Sequence, residues 1–182
     1  MAKNQARLRV PAGAGDHSQG PSNAAVTLVE YGDYECPHCR HAYPIVKRIQ
    51  KRLPDRLRFI FRNFPLAEMH PNATAAAMSA EAAALQDKFW PMHDMLFENQ
   101  DALDAGDLLN YARKLNLDVG RFQAALQDSA VAEHVQSDFI GGVRSGVNGT
   151  PTFFIHESRF DGDWTNMDEF IAALEAAAAR GT

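Results

Sequence analysis

Residues 31–39 read YGDYECPHC and contain both cysteines of the chain, Cys36 and Cys39. The residues before them, VTLVEY from Val26, are mostly β-branched or aromatic and predict a buried strand that ends at Gly32. Pro37 fits the first turn of a helix, where a missing backbone N–H costs nothing, so a helix is expected from the first cysteine onward. The sequence therefore places a Cys-x-x-Cys pair where a strand passes into a helix.

A cysteine at a helix N-terminus loses its proton readily, because unpaired N–H groups and the helix dipole favour an anion there. Cys36 is therefore predicted to be the exposed nucleophile, and Cys39, one turn further in, the resolving thiol. A protonated or hydrogen-bonding His38 between them would stabilise the Cys36 thiolate further. Asp33 and Glu35 would oppose that effect if they pointed at the sulfur. The sign of the net pKa shift stays open at this point.

The residues after the cysteine pair switch between helical and extended patterns. Apolar residues at steps of three and four give the first helix a buried face, formed by Tyr43, Val46, Ile49 and Leu53. Residues 57–64 predict a second strand, and the order strand, helix, strand favours a right-handed unit with parallel strands. Near the start of the chain, Leu8–Val10 allows a further short strand.

Residues 71–147 show no strand signal and are predicted to be helical. Within them, residues at steps of four predict a stripe that faces the core, formed by Val131, Val135, Phe139, Val143 and Val147. Residues 152–156 then predict a short buried strand. Residues 158–160 could form a second strand that pairs with it across a turn. Asn166 and Glu169 stand at capping-box spacing ahead of a last helix.

These patterns predict an α/β fold in which a helical insertion separates the two halves of a small sheet. The expected boundaries are an N-terminal extension at 1–25, a first half at 26–70, the helical insertion at 71–147 and a second half at 148–182.

Composition excludes several classes of function. The chain has 182 residues, 46% of them hydrophobic and 23% charged, as in soluble globular proteins. A net charge of −5 argues against a nucleic-acid surface, and no apolar run approaches the length of about 18 residues that spans a bilayer. Residues 1–20 are polar and lack the apolar region of a secretory signal. A cytoplasmic location is expected, or a periplasmic one if the sequence is a mature or excised fragment.

Zinc binding is one alternative use of the cysteine pair. A zinc site needs about four ligands, and the chain has no further cysteine. His38 and His41 are close enough to add ligands, so this alternative stays open. The other histidines considered, His70, His93, His134 and His156, are scattered without ligand spacing.

Two other uses of the pair are disfavoured. Covalent haem attachment requires a histidine directly after the second cysteine, where this chain has Arg40. A structural disulfide between residues three apart closes too short a loop to stabilise a fold much. Thiol–disulfide redox chemistry is the use that the pattern favours.

Four segments together resemble the DsbA-like branch of the thioredoxin superfamily, in that family's order from about Val26 to Phe160. They are residues 31–39, the NFPL of 63–66, the KFW and MHD of 88–94, and the GVNGTPTFF of 146–154. The resemblance implies a thioredoxin fold with a helical domain inserted between its two halves. It also implies a thiol–disulfide oxidoreductase.

The resemblance further implies roles for single residues. Pro151 matches the cis-proline that faces the cysteine pair, and the backbone of Thr150 would pair with an extended substrate segment. Glu30 matches a buried acid that assists proton transfer at the inner thiol, and His38 matches the position that tunes the reduction potential. The candidate catalytic residues are Cys36, Cys39, His38, Pro37 and Glu30.

The expected substrates are protein or small-molecule dithiols and disulfides, and an unidentified redox partner is expected as well. No cofactor, metal, nucleic acid or membrane insertion is expected. Two alternatives stay open. One is a non-catalytic thiol module that binds a soft metal or a partner protein. The other is a glutathione-using transferase or isomerase of the kappa-like branch, whose members usually have Ser at the position of Cys36.

Overall fold

The computed structural model describes residues 6–180 and contains a five-stranded sheet. The strand order is β1-β3-β2-β4-β5, and β2 and β3 are parallel while every other pair is antiparallel. The strands are β1 (His17–Gln19), β2 (Val26–Gly32), β3 (Leu57–Asn63), β4 (Thr152–Ile155) and β5 (Ser158–Arg159).

Seven helices accompany the sheet within the described residues. They are α1 (Pro37–Arg52), α2 (Ala73–Ala84), α3 (Phe89–Glu98), α4 (Ala105–Lys114), α5 (Val119–Ala125), α6 (Ser129–Arg144) and α7 (Met167–Arg180). Helices α2 to α6 all lie between β3 and β4 in the chain, so the predicted fold, with helices inserted between two halves of a sheet, is confirmed.

The two faces of the sheet pack against different parts of the chain. Alternate side chains of a strand point to opposite faces. In β2, Leu28 therefore belongs to the large core shared with α1, α7 and the inserted helices. Val29 and Tyr31 belong to a smaller core that also contains Leu8 and Phe64. The cysteine pair lies on the side of the large core.

The predicted strand at Leu8–Val10 is wrong for the described residues. The isolated bridge beside β5, which is only two residues long, is formed by the preceding residue, Arg7, with Ser158, and residues 8–10 form no strand. The N-terminal extension instead contributes β1, which pairs with β3. Residues 1–5 of the predicted extension lie outside the described residues.

Arg62 on β3 holds the N-terminal segment against the sheet. Its guanidinium binds both carboxylate oxygens of Asp16, at 2.8 and 3.0 Å. It also donates to the carbonyls of Val10 and Pro11 and to the Tyr31 hydroxyl, at 2.8, 3.1 and 3.0 Å. A buried charge with this many partners fixes the position of the segment that it binds.

The predicted stripe on α6 is wrong at Val143. Val131 and Val135 are buried, and so is Val147 beyond the end of the helix, but Val143 is 52% exposed. Four residues overshoot one helical turn by about 40°, so a stripe at strict steps of four rotates away from the core. Gly142 faces the sheet there instead, where an added Cβ would lie 2.7 Å from the ring of Phe64.

Within residues 6–180, no helix combines the length and the apolar character needed to cross a bilayer.

Candidate active site

The cysteine pair sits at the start of α1, as the sequence predicts. Cys36 is the N-cap residue with extended backbone angles, and Pro37 occupies the first turn of the helix. Both cysteines are free thiols. Cys39 is fully buried and Cys36 is only 4% exposed. The expectation of an exposed Cys36 is therefore wrong.

The loop before β4 covers Cys36. The peptide bond between Thr150 and Pro151 is cis, as the resemblance implies. The Cys36 sulfur lies 3.4 Å from the carbonyl oxygen of Thr150, to which it can donate when protonated. This contact places the backbone of residue 150 over the sulfur and accounts for its burial.

The environment lowers the pKa of Cys36 to about 5. The largest cause is a hydrogen bond with Cys39. Burial acts in the opposite direction, and hydrogen bonding with Thr150 and with the backbone N–H groups of Cys39 and His38 lowers the pKa further. The net shift, which the sequence left open, is downward, so Cys36 is a thiolate at neutral pH.

The same surroundings raise the pKa of Cys39 well above its ordinary value. Burial is the largest cause, followed by the hydrogen bond with Cys36 and by the charges of Glu30 and Cys36. The backbone N–H of Asp33, 3.4 Å from the Cys39 sulfur, acts weakly against them. The two thiols therefore differ sharply in acidity.

Glu30 lies near the end of β2 on the face of the large core and is 2% exposed. Burial, and then the charge of Cys36, raises its pKa to about 8. Its Oε1 atom has no hydrogen-bond partner among the described residues. A buried carboxyl group with this pKa can accept or give up a proton near neutral pH.

His38 acts on Cys36 through its backbone. Its side chain is exposed, as is that of Pro37. The backbone N–H of His38 is among the groups that lower the pKa of Cys36. This N–H points at the sulfur because it belongs to the first turn of α1, where helical N–H groups have no partner within the helix.

The two acidic residues of the loop are held by other partners. The carboxylate of Asp33 accepts hydrogen bonds from the backbone N–H of Leu66 at 2.9 Å and from Nδ1 of His70 at 2.8 Å. The carboxylate of Glu35 accepts from the backbone N–H and the side-chain amide of Asn72, at 2.6 and 3.0 Å. These bonds tie the loop to the segment after β3.

Gln100 is a site residue that the sequence analysis missed. Its buried side-chain amide donates to the carbonyl oxygens of Tyr34 and Cys36, at 2.8 and 2.9 Å. It follows α3, so the inserted helices hold the backbone of the cysteine loop directly. A single glutamine in a turn carries no pattern that predicts this contact.

The profile of the thioredoxin family matches residues 13–176. Among solved structures, the chain is similar to oxidised BdbD from Bacillus subtilis, with 26% identity and a TM-score of 0.83 over 97% of this chain and 100% of that one. It is also similar to a thioredoxin-like oxidoreductase from Silicibacter pomeroyi DSS-3, with 26% identity and a TM-score of 0.82 over 93% and 95%.

The curated relatives are Na(+)/H(+) antiporters. The chain is 43% identical over 164 residues to NhaA 1 of Salinispora arenicola, which is 90% of this chain and 25% of the relative. It is 41% identical over 167 residues to NhaA of Herminiimonas arsenicoxydans, which is 92% of this chain and 26% of the relative. The chain thus spans about a quarter of the length of the curated relatives it matches.

Proposed function

Since this chain belongs to the thioredoxin family and has the fold of its DsbA-type thiol–disulfide oxidoreductases, we propose that it exchanges disulfides through Cys36 and Cys39. One observation carries the proposal. Within one turn of helix, the pKa of Cys36 is lowered to about 5 while the pKa of Cys39 is raised well above its ordinary value. In such a pair, one cysteine is a thiolate that can act as a nucleophile, and the other stays protonated until it resolves the mixed disulfide.

In the reducing direction, the Cys36 thiolate attacks one sulfur of a substrate disulfide. A bond forms between Cys36 and that sulfur, and the other substrate sulfur leaves as a thiolate. Cys39 then loses its proton and attacks the sulfur of Cys36. This step releases the second substrate thiolate, leaves a Cys36–Cys39 disulfide and transfers two electrons to the substrate. The oxidising direction is the reverse of these steps.

The second step needs a base, because Cys39 is protonated at neutral pH. Glu30 is suited to accept that proton, since it is buried on the same face of the sheet and its charge acts on Cys39. The charge of Cys36 is one of the two causes that raise the pKa of Glu30 to about 8, and the mixed disulfide removes that charge, so Glu30 ionises more readily at this step. Its proton returns to the leaving thiolate or to water when the substrate departs.

A substrate is expected to bind as an extended segment beside Thr150 and Pro151. These residues come directly before β4, and an extended segment added there would continue the strand pairing through backbone hydrogen bonds. Backbone pairing does not select side chains, so the proposed substrates are a class: protein segments or small molecules with an accessible disulfide or dithiol.

The test is to trap the mixed disulfide. Cys39→Ala leaves the nucleophile without its resolving partner, so it should accumulate covalent adducts with a disulfide peptide, whereas Cys36→Ala should form none. The wild-type chain should reduce insulin or oxidise a dithiol peptide in a glutathione buffer. A wild-type protein with neither activity, together with a Cys39→Ala variant that forms no adduct, would contradict the proposal.

The cytoplasmic location expected from the sequence stays a prediction. Fractionation of the native host, with an antibody against this chain, tests it. Recovery with periplasmic markers would show that it is wrong.

A further inference from the structure

A second cluster of reactive side chains lies where β1, α2 and α6 meet. Nε2 of His17 is 2.8 Å from Oε2 of Glu81, and Nε2 of His134 is 3.7 Å from the same oxygen. One ligand atom from each of the three residues lies within 4.8 Å of the other two. The carboxylate of Asp138, one turn after His134 on α6, is 3.9 Å from Nε2 of His134.

We propose that His17, Glu81 and His134 bind a divalent transition-metal ion of the zinc class, with water in the fourth position. Imidazole nitrogen and carboxylate oxygen together suit zinc better than calcium or magnesium, which prefer oxygen ligands alone. Ligand atoms about 2.0–2.2 Å from a tetrahedral ion lie about 3.3–3.6 Å from each other. The 3.7 Å between Nε2 of His134 and Oε2 of Glu81 is close to that range, and the 2.8 Å hydrogen bond between His17 and Glu81 would have to open by about half an ångström on binding.

Neighbouring residues orient the proposed ligands. The side-chain amide of Asn63 donates to Glu81 at 2.7 Å and to Asp138 at 3.2 Å, so one residue fixes both carboxylates. The ring of His17 stacks on Phe89, with 3.6 Å between ring centroids and 10° between planes. Partners of this kind hold ligating groups in position in known metal sites.

A simple ion pair does not account for the whole arrangement. The contact between His17 and Glu81 is an ordinary hydrogen bond, but Nε2 of His134 faces two carboxylates at 3.7 and 3.9 Å, beyond hydrogen-bond distance of either. Glu81 is 5% exposed. A divalent cation would bind its buried carboxylate and use the electron pair of each Nε2.

The ligands come from parts of the chain that are distant in sequence. His17 lies in the N-terminal segment, while Glu81 and His134 lie on two of the inserted helices. The sequence analysis found no ligand spacing for the histidines, because here the spacing arises from the fold. A bound ion would join the first strand of the sheet to the helices that form one wall of the large core.

The experiment measures Zn²⁺ binding to the full chain with its cysteines oxidised to the disulfide, so that thiols cannot bind the ion. Calorimetry should give one Zn²⁺ per chain, and the melting temperature should rise with Zn²⁺ concentration, as it does for any ligand of the folded state. A Co²⁺ derivative should absorb without thiolate charge-transfer bands.

His134→Ala and His17→Asn should each weaken Zn²⁺ binding more than about tenfold. Loss of a residue that only orients a ligand already costs about tenfold or more, and loss of a ligand should cost at least as much. His134 is a suitable position because its side chain is 38% exposed, so its removal should leave the fold intact. His41→Ala, another exposed helical histidine, is the matched control and should bind as the wild type does.

Three outcomes would overturn the proposal: no Zn²⁺ binding to the oxidised chain, binding that His134→Ala and His41→Ala reduce equally, or binding of Ca²⁺ in preference to Zn²⁺. Circular dichroism of each variant separates loss of the site from loss of the fold.

Discussion

The Cys36 sulfur lies 3.4 Å from the carbonyl oxygen of Thr150, although 114 residues separate the two in the chain. The antiparallel pairing of β2 with β4, in which Tyr31 faces Thr152, brings them together. Strand β2 leads into α1, which begins at the proposed nucleophile Cys36. Its neighbour β4 begins after the loop at Thr150, which covers the Cys36 sulfur. The site therefore exists only once the two halves of the sheet have joined across the inserted helices.

The reduction potential of the Cys36–Cys39 pair should be oxidising. A thiolate with a pKa of about 5 stabilises the reduced form, and a more stable reduced form makes the disulfide a stronger oxidant. We expect a potential closer to about −120 mV, as in DsbA, than to about −270 mV, as in thioredoxin. Equilibration with glutathione, followed by tryptophan fluorescence, measures it. A value near that of thioredoxin would contradict the assignment of the low pKa to Cys36.

Cys39→Ala should raise the pKa of Cys36 more than His38→Ala does. The hydrogen bond with Cys39 is the largest cause of the lowered pKa, whereas His38 contributes through a backbone N–H that any residue at that position keeps. Thiolate absorbance near 240 nm, followed as a function of pH, reports the pKa in both variants. A larger shift in His38→Ala would show that the exposed imidazole acts on the sulfur.

Glu30→Gln should slow the second step of exchange and stabilise the fold. The step slows because the variant has no carboxylate to take the proton of Cys39. Below about pH 4.5, Glu30 is neutral in both the folded and the unfolded chain. Between about 4.5 and about 8, the folded state keeps a proton that the unfolded state has lost. The stability of the wild type therefore falls across this window.

The free energy of unfolding of Glu30→Gln should thus exceed that of the wild type by an amount that grows from about pH 4.5 to about 8 and then levels off. Urea unfolding of the oxidised protein measures this difference without a titrating thiol. Since the disulfide removes the charge of Cys36, which helps to raise the pKa of Glu30, the difference should level off below about pH 8 in that form. A difference that does not change with pH would mean that the pKa of Glu30 is not raised.

Gln100→Leu should destabilise the chain by about 1–3 kcal/mol for the buried acceptor left unpaired. The carbonyl of Tyr34 loses its donor, while the carbonyl of Cys36 keeps only the backbone N–H of Arg40, at 3.1 Å. The rate of mixed-disulfide formation should fall as well, because the loop that carries Cys36 is then held less firmly. Arg40→Ala, which breaks an exposed ion pair to Asp101 nearby, is the control and should cost less than about 1 kcal/mol. Equal effects of the two variants would argue against a positioning role for Gln100.

The stabilising effect of His70 should depend on pH. Burial acts against protonation of His70, but the hydrogen bond and charge of Asp33 outweigh it and raise its pKa above 6.5. The protonated imidazole is therefore fully stabilising below about pH 6.5, and its contribution is lost as the pH rises through the raised value. The stability difference between the wild type and His70→Ala should shrink from pH 6 to pH 9. Denaturant unfolding at several pH values in that range checks it.

The order of elements and the position of the cysteine pair at a helix start could be predicted from the sequence, because both depend on short-range patterns. The helix after Cys36, the parallel partner of β2 and the helical insertion all follow from local periodicity and turn residues. The cis peptide before Pro151 was implied by the motif around it. The roles proposed for the site residues stay predictions until the variants are measured.

The features that escaped prediction depend on contacts between distant residues. Nothing near Gln100 in the sequence indicates that its amide reaches the carbonyl of Cys36, and His17 and Glu81 are 64 positions apart. The burial of Cys36 depends on the loop at Thr150, which a reading of the helix start alone does not include. The exposure of Val143 follows from the accumulated rotation of a stripe at strict steps of four.

The N-terminal segment contacts the sheet at both of its margins. Residues 6–8 bond to the loop and strand around β5 at one margin of the sheet, and β1 pairs with β3 at the other. An uncovered outer strand offers a row of free N–H and C=O groups on which another chain can add a strand. Because Arg62 binds the segment that runs between these two margins, we expect Arg62→Ala to loosen both contacts and to leave the edge of β3 open to pairing with another chain. A residue far from the cysteine pair would then affect self-association.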